Sequence, residues 1–111
     1  MTSSDPNVLL RLYETIRSRQ GADPTSSYTA SLFDKGLTKI TAKVSEEAGE
    51  TVIAALAQDR DAVISESADL MYHLLVLWAA RDVAPEDVFA ALQNREGTSG
   101  HVEKAARDPK S

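Results

Sequence analysis

Residues 37–56, LTKITAKVSEEAGETVIAAL, decide the fold, because their apolar positions recur with the 3.6-residue period of an α-helix. The pattern runs through Leu37, Ile40, Val44, Ala48, Val52, Ile53, Ala55 and Leu56. Residues 57–61, AQDRD, have the composition of a polar turn, and a second long helical pattern follows them. Two helices joined by so short a connection are predicted to pack as antiparallel neighbours.

The second long helix is predicted to direct a wide apolar arc inward. Its inward residues are Val63, Ile64, Ala68, Met71, Leu74, Leu75 and Trp78. The width of this arc indicates burial on two sides, as at a subunit interface. Since a core of this size is marginal alone, we expect the fold to be completed by oligomerisation.

Helical signals dominate the rest of the chain as well. Asp5-Pro6 predicts the start of a first helix, Ser26 or Ser27 is a candidate cap for a short helix over 28–35, and Pro85 begins a last helix. Alternating apolar runs and hairpin turns, which are typical of strands, are missing from the sequence. The prediction is an all-α, antiparallel bundle of four to five helices over residues 1–97. The polar residues 98–111 are expected to form a flexible tail.

Composition narrows the class of function. The chain has 111 residues, a net charge of -5 and no cysteine, which excludes a disulfide framework or a thiolate metal site. The acidic balance argues against nucleic-acid binding, which relies on a basic face. The longest apolar stretch, LLVLWAA at 74–80, is too short to span a membrane, and residues 1–14 have no basic segment typical of a secretory signal. These features predict a cytoplasmic enzyme or binding domain.

Acidic residues on the two long helices form the candidate site. Glu47 and Glu50 are three residues apart, Glu46 and Glu50 are four apart, and Glu66 and Asp69 are again three apart, so each pair shares a helix face. The antiparallel pairing places the two faces at similar depth along the helix axes. Clustered oxygen ligands suit Mg²⁺ or Mn²⁺ rather than zinc. The alternative is that these residues form solvated helix surfaces.

A basic stripe leads into the acidic cluster. Lys35, Lys39 and Lys43 recur every four residues, a spacing suited to contacting the outer oxygens of a polyphosphate. Pairing of Lys43 with Glu47 on the surface is the simpler alternative. The loop before the short helix adds hydroxyls and free N–H groups that suit an anion. Its candidate residues are Ser27, Tyr28 and Thr29.

His73 follows Asp69 by four residues and is interpreted as a core residue or a hydrogen-bond partner rather than a metal ligand. Ferritin-like di-iron bundles require a Glu-x-x-His motif, but Leu70 stands three residues before His73. The sequence therefore disfavours oxidase chemistry.

Two segments resemble a known family. SYTASLFDKGLTKITAKVSEEAGETVIAAL and ESADLMYHLLVLWA are similar to the phosphoribosyl-ATP pyrophosphohydrolases of histidine biosynthesis, over about residues 6–97. The pattern Glu46-Glu47-x-x-Glu50 followed by Glu66-x-x-Asp69 is similar to the broader group of MazG-like all-α nucleotide pyrophosphohydrolases. The resemblance implies Mg²⁺-dependent hydrolysis of phosphoribosyl-ATP to phosphoribosyl-AMP and pyrophosphate, in a homodimer or higher homo-oligomer.

The resemblance also implies roles for individual residues. The metal ligands by motif position are Glu47, Glu50, Glu66 and Asp69. Glu46 is implied as a further acid that holds the attacking water or a second metal, and the catalytic pair is Glu46 and Glu47. The phosphate contacts are Lys35, Lys39 and Lys43, together with Ser27, Tyr28 and Thr29.

The hypothesis for the mechanism is in-line attack of a carboxylate-oriented water on a phosphate that the cations hold. Two alternatives remain open. One is a house-cleaning pyrophosphohydrolase that acts on ordinary or modified nucleoside triphosphates. The other is a non-catalytic helical dimerisation module with an acidic face.

Overall fold

The computed structural model describes residues 4–97, which form five α-helices and, within that range, no strand. In chain order these are α1 (Val8–Ser18), α2 (Tyr28–Lys35), α3 (Leu37–Ala57), α4 (Arg60–Ala80) and α5 (Pro85–Gln93). The all-α prediction is confirmed. The predicted tail at 98–111 lies outside the described residues. None of the helices within 4–97 is both long and apolar enough to cross a membrane.

Helices α3 and α4 form an antiparallel hairpin that is the main structural unit. The connection is shorter than the predicted turn at 57–61, because α3 continues through Ala57 and α4 begins at Arg60. Asp59 caps α4, since its side chain accepts a hydrogen bond of 2.9 Å from the N–H of Ala62. Contact between Thr51 and Glu66, which lie equally far from the turn, sets the helices antiparallel.

The hydrophobic core lies around the C-terminal half of α4, where α1, α2 and the start of α3 pack against it. Its buried residues are Tyr13, Ile16, Leu32, Ile40, Leu75, Val76 and Ala79. Tyr13 also donates a hydrogen bond of 2.7 Å to the carbonyl of Val83, which ties α1 to the segment before α5. The core thus covers only one end of the hairpin.

The other end of the hairpin carries exposed apolar side chains. These are Val52, Ile53 and Leu56 on α3, with Ile64 and Met71 on α4. The prediction that Ile64, Ala68 and Met71 point inward is therefore wrong within the single chain. The reason is that α1 and α2 pack on the opposite end, so no described helix of the same chain covers this face.

The short helix α2 is joined to α3 by Gly36 alone. Ser27 caps α2, as predicted, and its hydroxyl accepts a hydrogen bond of 3.1 Å from the N–H of Ala30. Gly36 has φ 88° and ψ -176°, a backbone region that is essentially restricted to glycine. This residue lets α2 turn away from α3, so that its first turn faces α4.

Candidate functional site

Helices α3 and α4 bring the five predicted acidic residues into one cluster. Glu46, Glu47 and Glu50 form one group, and Glu47, Glu66 and Asp69 form another. Within each group one carboxylate oxygen per residue lies within 4.8 Å of the others. Glu47 belongs to both groups, so it lies at the centre of the cluster.

The hydroxyl of Thr51 aligns the two helices at this cluster. Its Oγ1 lies 2.8 Å from the carbonyl oxygen of Glu47 and 3.2 Å from that of Glu66. This one hydroxyl therefore contacts a backbone carbonyl oxygen on each of the two helices. This contact holds Glu66 opposite Glu47, as the matched depth of the acidic pairs predicts.

Two carboxylate oxygens in the cluster are buried and have no hydrogen-bond partner among residues 4–97. They are Oε2 of Glu47, whose residue is only 7% exposed, and Oε2 of Glu66. Leaving such atoms unpaired is costly, because water that stabilised their charge has been removed. Buried, unpaired carboxylate oxygens from facing helices fit a hard divalent cation such as Mg²⁺ or Mn²⁺.

Repulsion within the cluster acts most clearly on Glu50. The pKa of Glu50 is raised from 4.5 to about 7, first because its carboxyl can share a hydrogen bond with Glu47. The negative charges of Glu47, Glu66 and Glu46 raise it further. Glu50 and Glu66 also line a cleft of about 200 Å³ with Ile53 and Gln58. Residues 4–97 therefore concentrate more negative charge here than the basic groups of that range neutralise.

Lys43 is the cation that the chain itself supplies to the cluster. Its Nζ lies 3.2 Å from Oε2 of Glu46 and 3.5 Å from Oε1 of Glu47. Burial opposes the charged form, yet the pKa of Lys43 is raised, first by its hydrogen bond to Glu46, then by the nearby hydroxyl of Tyr28, the charge of Glu46 and its contact with Glu47. The pairing of Lys43 with Glu47, which was the simpler alternative for the basic stripe, is present, but it is largely buried rather than on the surface.

The other two lysines of the stripe differ from Lys43. Lys35 and Lys39 are exposed, and neither makes an ion pair within residues 4–97. Their ammonium groups are free to contact an anion in solvent.

The hydroxyls of the predicted loop are all engaged with protein groups. Ser27 caps α2, and Thr29 is buried, with its Oγ1 hydrogen-bonded to the hydroxyl of Tyr72. The hydroxyl of Tyr28 lies 3.0 Å from Nε2 of His73. Tyr28 and Thr29, which are predicted as loop residues, thus lie in the first turn of α2 beside the acidic cluster, and all three hydroxyls already have partners.

His73 is a buried hydrogen-bond partner, in line with the interpretation of the sequence. Its Nδ1 lies 2.8 Å from the carbonyl oxygen of Asp69, one turn earlier on α4. Tyr72 is a functional candidate that sequence patterns miss, because it is a single hydroxyl on a largely apolar helix and its partner in α2 is distant in the chain.

Comparison with known proteins places this arrangement in a family. The family model described as "Phosphoribosyl-ATP pyrophosphohydrolase" matches residues 9–96. The chain belongs to this family. Proteins named "Phosphoribosyl-ATP pyrophosphatase" are 58% identical in Azospirillum brasilense, 55% in Parvibaculum lavamentivorans and 52% in Paramagnetospirillum magneticum. The matches cover 90%, 95% and 97% of this chain, and 90%, 96% and 99% of the relatives.

The segment that matches the phosphoribosyl-ATP pyrophosphohydrolase family contains all the candidate site residues, from Ser27 to Asp69, and also Tyr72 and His73. The resemblance that the two sequence segments suggested is therefore confirmed.

Proposed function

We propose that the chain hydrolyses the α–β phosphoanhydride of phosphoribosyl-ATP, giving phosphoribosyl-AMP and pyrophosphate in histidine biosynthesis. Membership of the family and the names of relatives up to 58% identical support the substrate. The observation that carries the reaction type is the acidic cluster, in which Glu47 and Glu66 come together and each has a buried carboxylate oxygen with no partner among the described residues.

We propose Mg²⁺, with Mn²⁺ as the alternative, as the cofactor. Glu47, Glu50, Glu66 and Asp69 would hold it, since their carboxylates come from both helices and together offer only oxygen ligands. When bound, the cation would supply positive charge and Lewis acidity at the phosphate oxygens.

The remaining charged residues have complementary roles in this proposal. Glu46 lies exposed at the edge of the cluster, where its carboxylate orients the attacking water and accepts its proton together with Glu47. Lys43 exchanges its carboxylate partners for phosphate oxygens as substrate binds. Lys35 and Lys39 contact the outer phosphate oxygens, for which their unpaired ammonium groups are suited.

The first turn of α2 contacts the substrate mainly through its backbone. The first turn of a helix leaves N–H groups without intrahelical acceptors, and here these belong to residues such as Tyr28 and Thr29. Ser27 already uses its hydroxyl as an acceptor to cap the helix, which keeps this turn in place.

We also propose that the chain acts as a homodimer or a higher homo-oligomer. The exposed apolar side chains of the hairpin lie together at one end of α3 and α4. This shared location supports the proposal that a second copy of the chain covers them. Leu56 is the most exposed of them, at 84%. A patch of this kind on a soluble domain marks an interaction surface.

The test is release of pyrophosphate from phosphoribosyl-ATP by the purified full chain, with Mg²⁺ and with a chelator. We expect turnover only with the metal, and its loss in Glu50→Gln. Glu14 is an exposed carboxylate on α1, so Glu14→Gln is the matched control and should retain activity. Normal turnover by Glu50→Gln would contradict the metal-ligand assignment.

Two further measurements separate the alternatives. Faster hydrolysis of ordinary or modified nucleoside triphosphates than of phosphoribosyl-ATP would favour a house-cleaning enzyme. Absence of activity, combined with a thermal midpoint that Mg²⁺ and nucleotide leave unchanged, would favour a non-catalytic module.

A further inference from the structure

Two neighbouring residues of α4 bind the first turn of α2. The hydroxyl of Tyr72 is hydrogen-bonded to Oγ1 of Thr29, and Nε2 of His73 lies 3.0 Å from the hydroxyl of Tyr28. The ring of His73 also makes edge contacts with Tyr28 and Tyr72, at centroid distances of 6.0 and 5.4 Å.

The hydrogen bonds fix the direction of donation. A carbonyl oxygen only accepts, so Nδ1 of His73 donates to the carbonyl of Asp69. In the neutral ring Nε2 is then the acceptor, and the hydroxyl of Tyr28 donates to it. His73 is 6% exposed, and both of its ring nitrogens are used. The chain of contacts therefore runs from Tyr28 through His73 to the backbone of a candidate metal ligand.

Leu32 anchors the body of helix α2 in the core, whereas its first turn is fixed by the contacts with Tyr72 and His73. The helix has only eight residues, and Gly36 alone joins it to α3. Its first turn lies beside the cluster, since the hydroxyl of Tyr28 is 3.0 Å from His73, whose ring is hydrogen-bonded to the carbonyl of Asp69. Tyr28 as a whole is 54% exposed, and partial burial of its hydroxyl raises its pKa. A small rotation of α2 would move the proposed substrate contacts away from the carboxylates.

We propose that Tyr72 and His73 are positioning residues, which clamp the first turn of α2 against the acidic cluster so that phosphate contacts and metal ligands meet the same substrate. This inference rests on the proposed function. The clamp acts through hydrogen bonds to Tyr28, Thr29 and the carbonyl of Asp69, and it places no atom of Tyr72 or His73 on the substrate.

A pair of substitutions at His73 separates its two hydrogen bonds. In His73→Asn the amide nitrogen takes the place of Nδ1 and retains donation to Asp69, but the side chain is too short to reach Tyr28. In His73→Gln the terminal oxygen takes the place of Nε2 and accepts from Tyr28. We expect KM for phosphoribosyl-ATP to rise about tenfold in His73→Asn, with kcat within about twofold, and to return toward wild type in His73→Gln.

Tyr28→Phe removes the same hydrogen bond from the other side. It should raise KM as much as His73→Asn does, and the double variant should be no worse than either single variant, because one shared contact has been removed. Tyr13→Phe is the matched control, since it deletes a tyrosine hydrogen bond in the core, to Val83. It should lower the thermal midpoint and leave KM unchanged.

Other results would overturn the clamp. One is an unchanged KM in His73→Asn. Another is an equal rise in KM in His73→Asn and His73→Gln that parallels the fall in their thermal midpoints. The third is an additive rise in KM when His73→Asn is combined with Tyr28→Phe. If the wild-type chain releases no pyrophosphate, the proposed function fails by itself. Nitrogen-15 spectra of the His73 ring then decide the contact: a shift of the Nε2 resonance in Tyr28→Phe supports the clamp, and an unmoved resonance overturns it.

Discussion

At the scale of single residues, Glu50 gives the site a response to pH. Its pKa is raised from 4.5 to about 7, first because its carboxyl, when protonated, can share a hydrogen bond with Glu47, and then by the negative charges around it. With a raised carboxyl pKa the folded state binds more protons than the unfolded state between these values. The contribution to stability is complete below about pH 4.5 and is lost as the pH rises through about 7.

We therefore predict that the thermal midpoint of the metal-free protein falls as the pH rises through this window, and that Glu50→Gln reduces the fall. Thermal denaturation with a chelator, in steps from about pH 5 to about pH 8, measures both slopes. Glu14→Gln on α1 controls for the loss of a carboxylate as such. Parallel slopes for Glu50→Gln and wild type would show that Glu50 does not carry the effect.

Substitution of Glu66 tests whether charge repulsion within the acidic cluster destabilises the metal-free protein. Oε2 of Glu66 is buried with no partner among the described residues, and Glu47 and Asp69 lie beside it. Glu66→Gln removes one negative charge and adds an amide donor within reach of these carboxylates. We predict a higher thermal midpoint for the metal-free protein, by roughly 4 °C for about 1 kcal/mol, and no further rise with Mg²⁺.

The measurement is a pair of melting curves for each variant, with a chelator and with saturating Mg²⁺. The thermal midpoint of wild type should rise with Mg²⁺, because a ligand that binds only the folded state stabilises that state. A metal-induced shift in Glu66→Gln as large as that of wild type would remove Glu66 from the ligand set.

The sequence predicts which acidic residues come together, but it does not predict which contacts the neighbouring side chains make. Helical spacing places Glu47 with Glu50 and Glu66 with Asp69, and the structure brings these pairs together. The three lysines of the stripe are equivalent in the sequence, yet only Lys43 pairs with the cluster among the described residues. Rotamers of long side chains do not follow from periodicity, and neither do contacts between distant segments, such as the engagement of Thr29 with α4.

At the scale of elements, the hairpin of α3 and α4 could be predicted apart from its turn. The polar composition of residues 57–61 predicts a longer connection than the observed one. Ala57 remains helical because alanine favours the helix, and the cap formed by Asp59 begins α4 directly afterwards. The predicted short helix over 28–35 is confirmed, and it ends at Gly36, whose backbone conformation requires glycine.

Two glycines of the same helical region are predicted to respond to alanine with opposite signs. Gly36→Ala would place a Cβ in open space but in a backbone region that costs about 1–3 kcal/mol. Gly49 lies within α3, and a Cβ at this position would also meet open space, so Gly49→Ala should stabilise by about 0.5–1 kcal/mol. Urea denaturation measures both, and a shift of the same sign in the two variants would contradict this account.

At the scale of the whole molecule, the core and the exposed apolar face occupy opposite ends of the hairpin. Periodicity identifies which residues share a helix face, but it does not say which element covers that face. For this reason periodicity alone places Ile64 and Met71 inside, whereas the single chain leaves them exposed. The cleft with Glu50 and Glu66 also includes exposed Ile53, so the candidate site borders this face.

A second copy that covers this face would make the assembly sensitive to a single charge. Leu56→Glu puts a carboxylate at the most exposed apolar position of this face. In a two-fold symmetric interface both copies carry the substitution, so it occurs twice in each dimer. Loss of about 1.4 kcal/mol weakens association about tenfold, and one buried leucine is worth more than that. We predict by sedimentation that wild type is dimeric or larger and that Leu56→Glu shifts toward monomer. Val8→Glu, which alters a 50% exposed residue on α1, should not do so. Equal sedimentation of all three proteins would exclude this face as the interface.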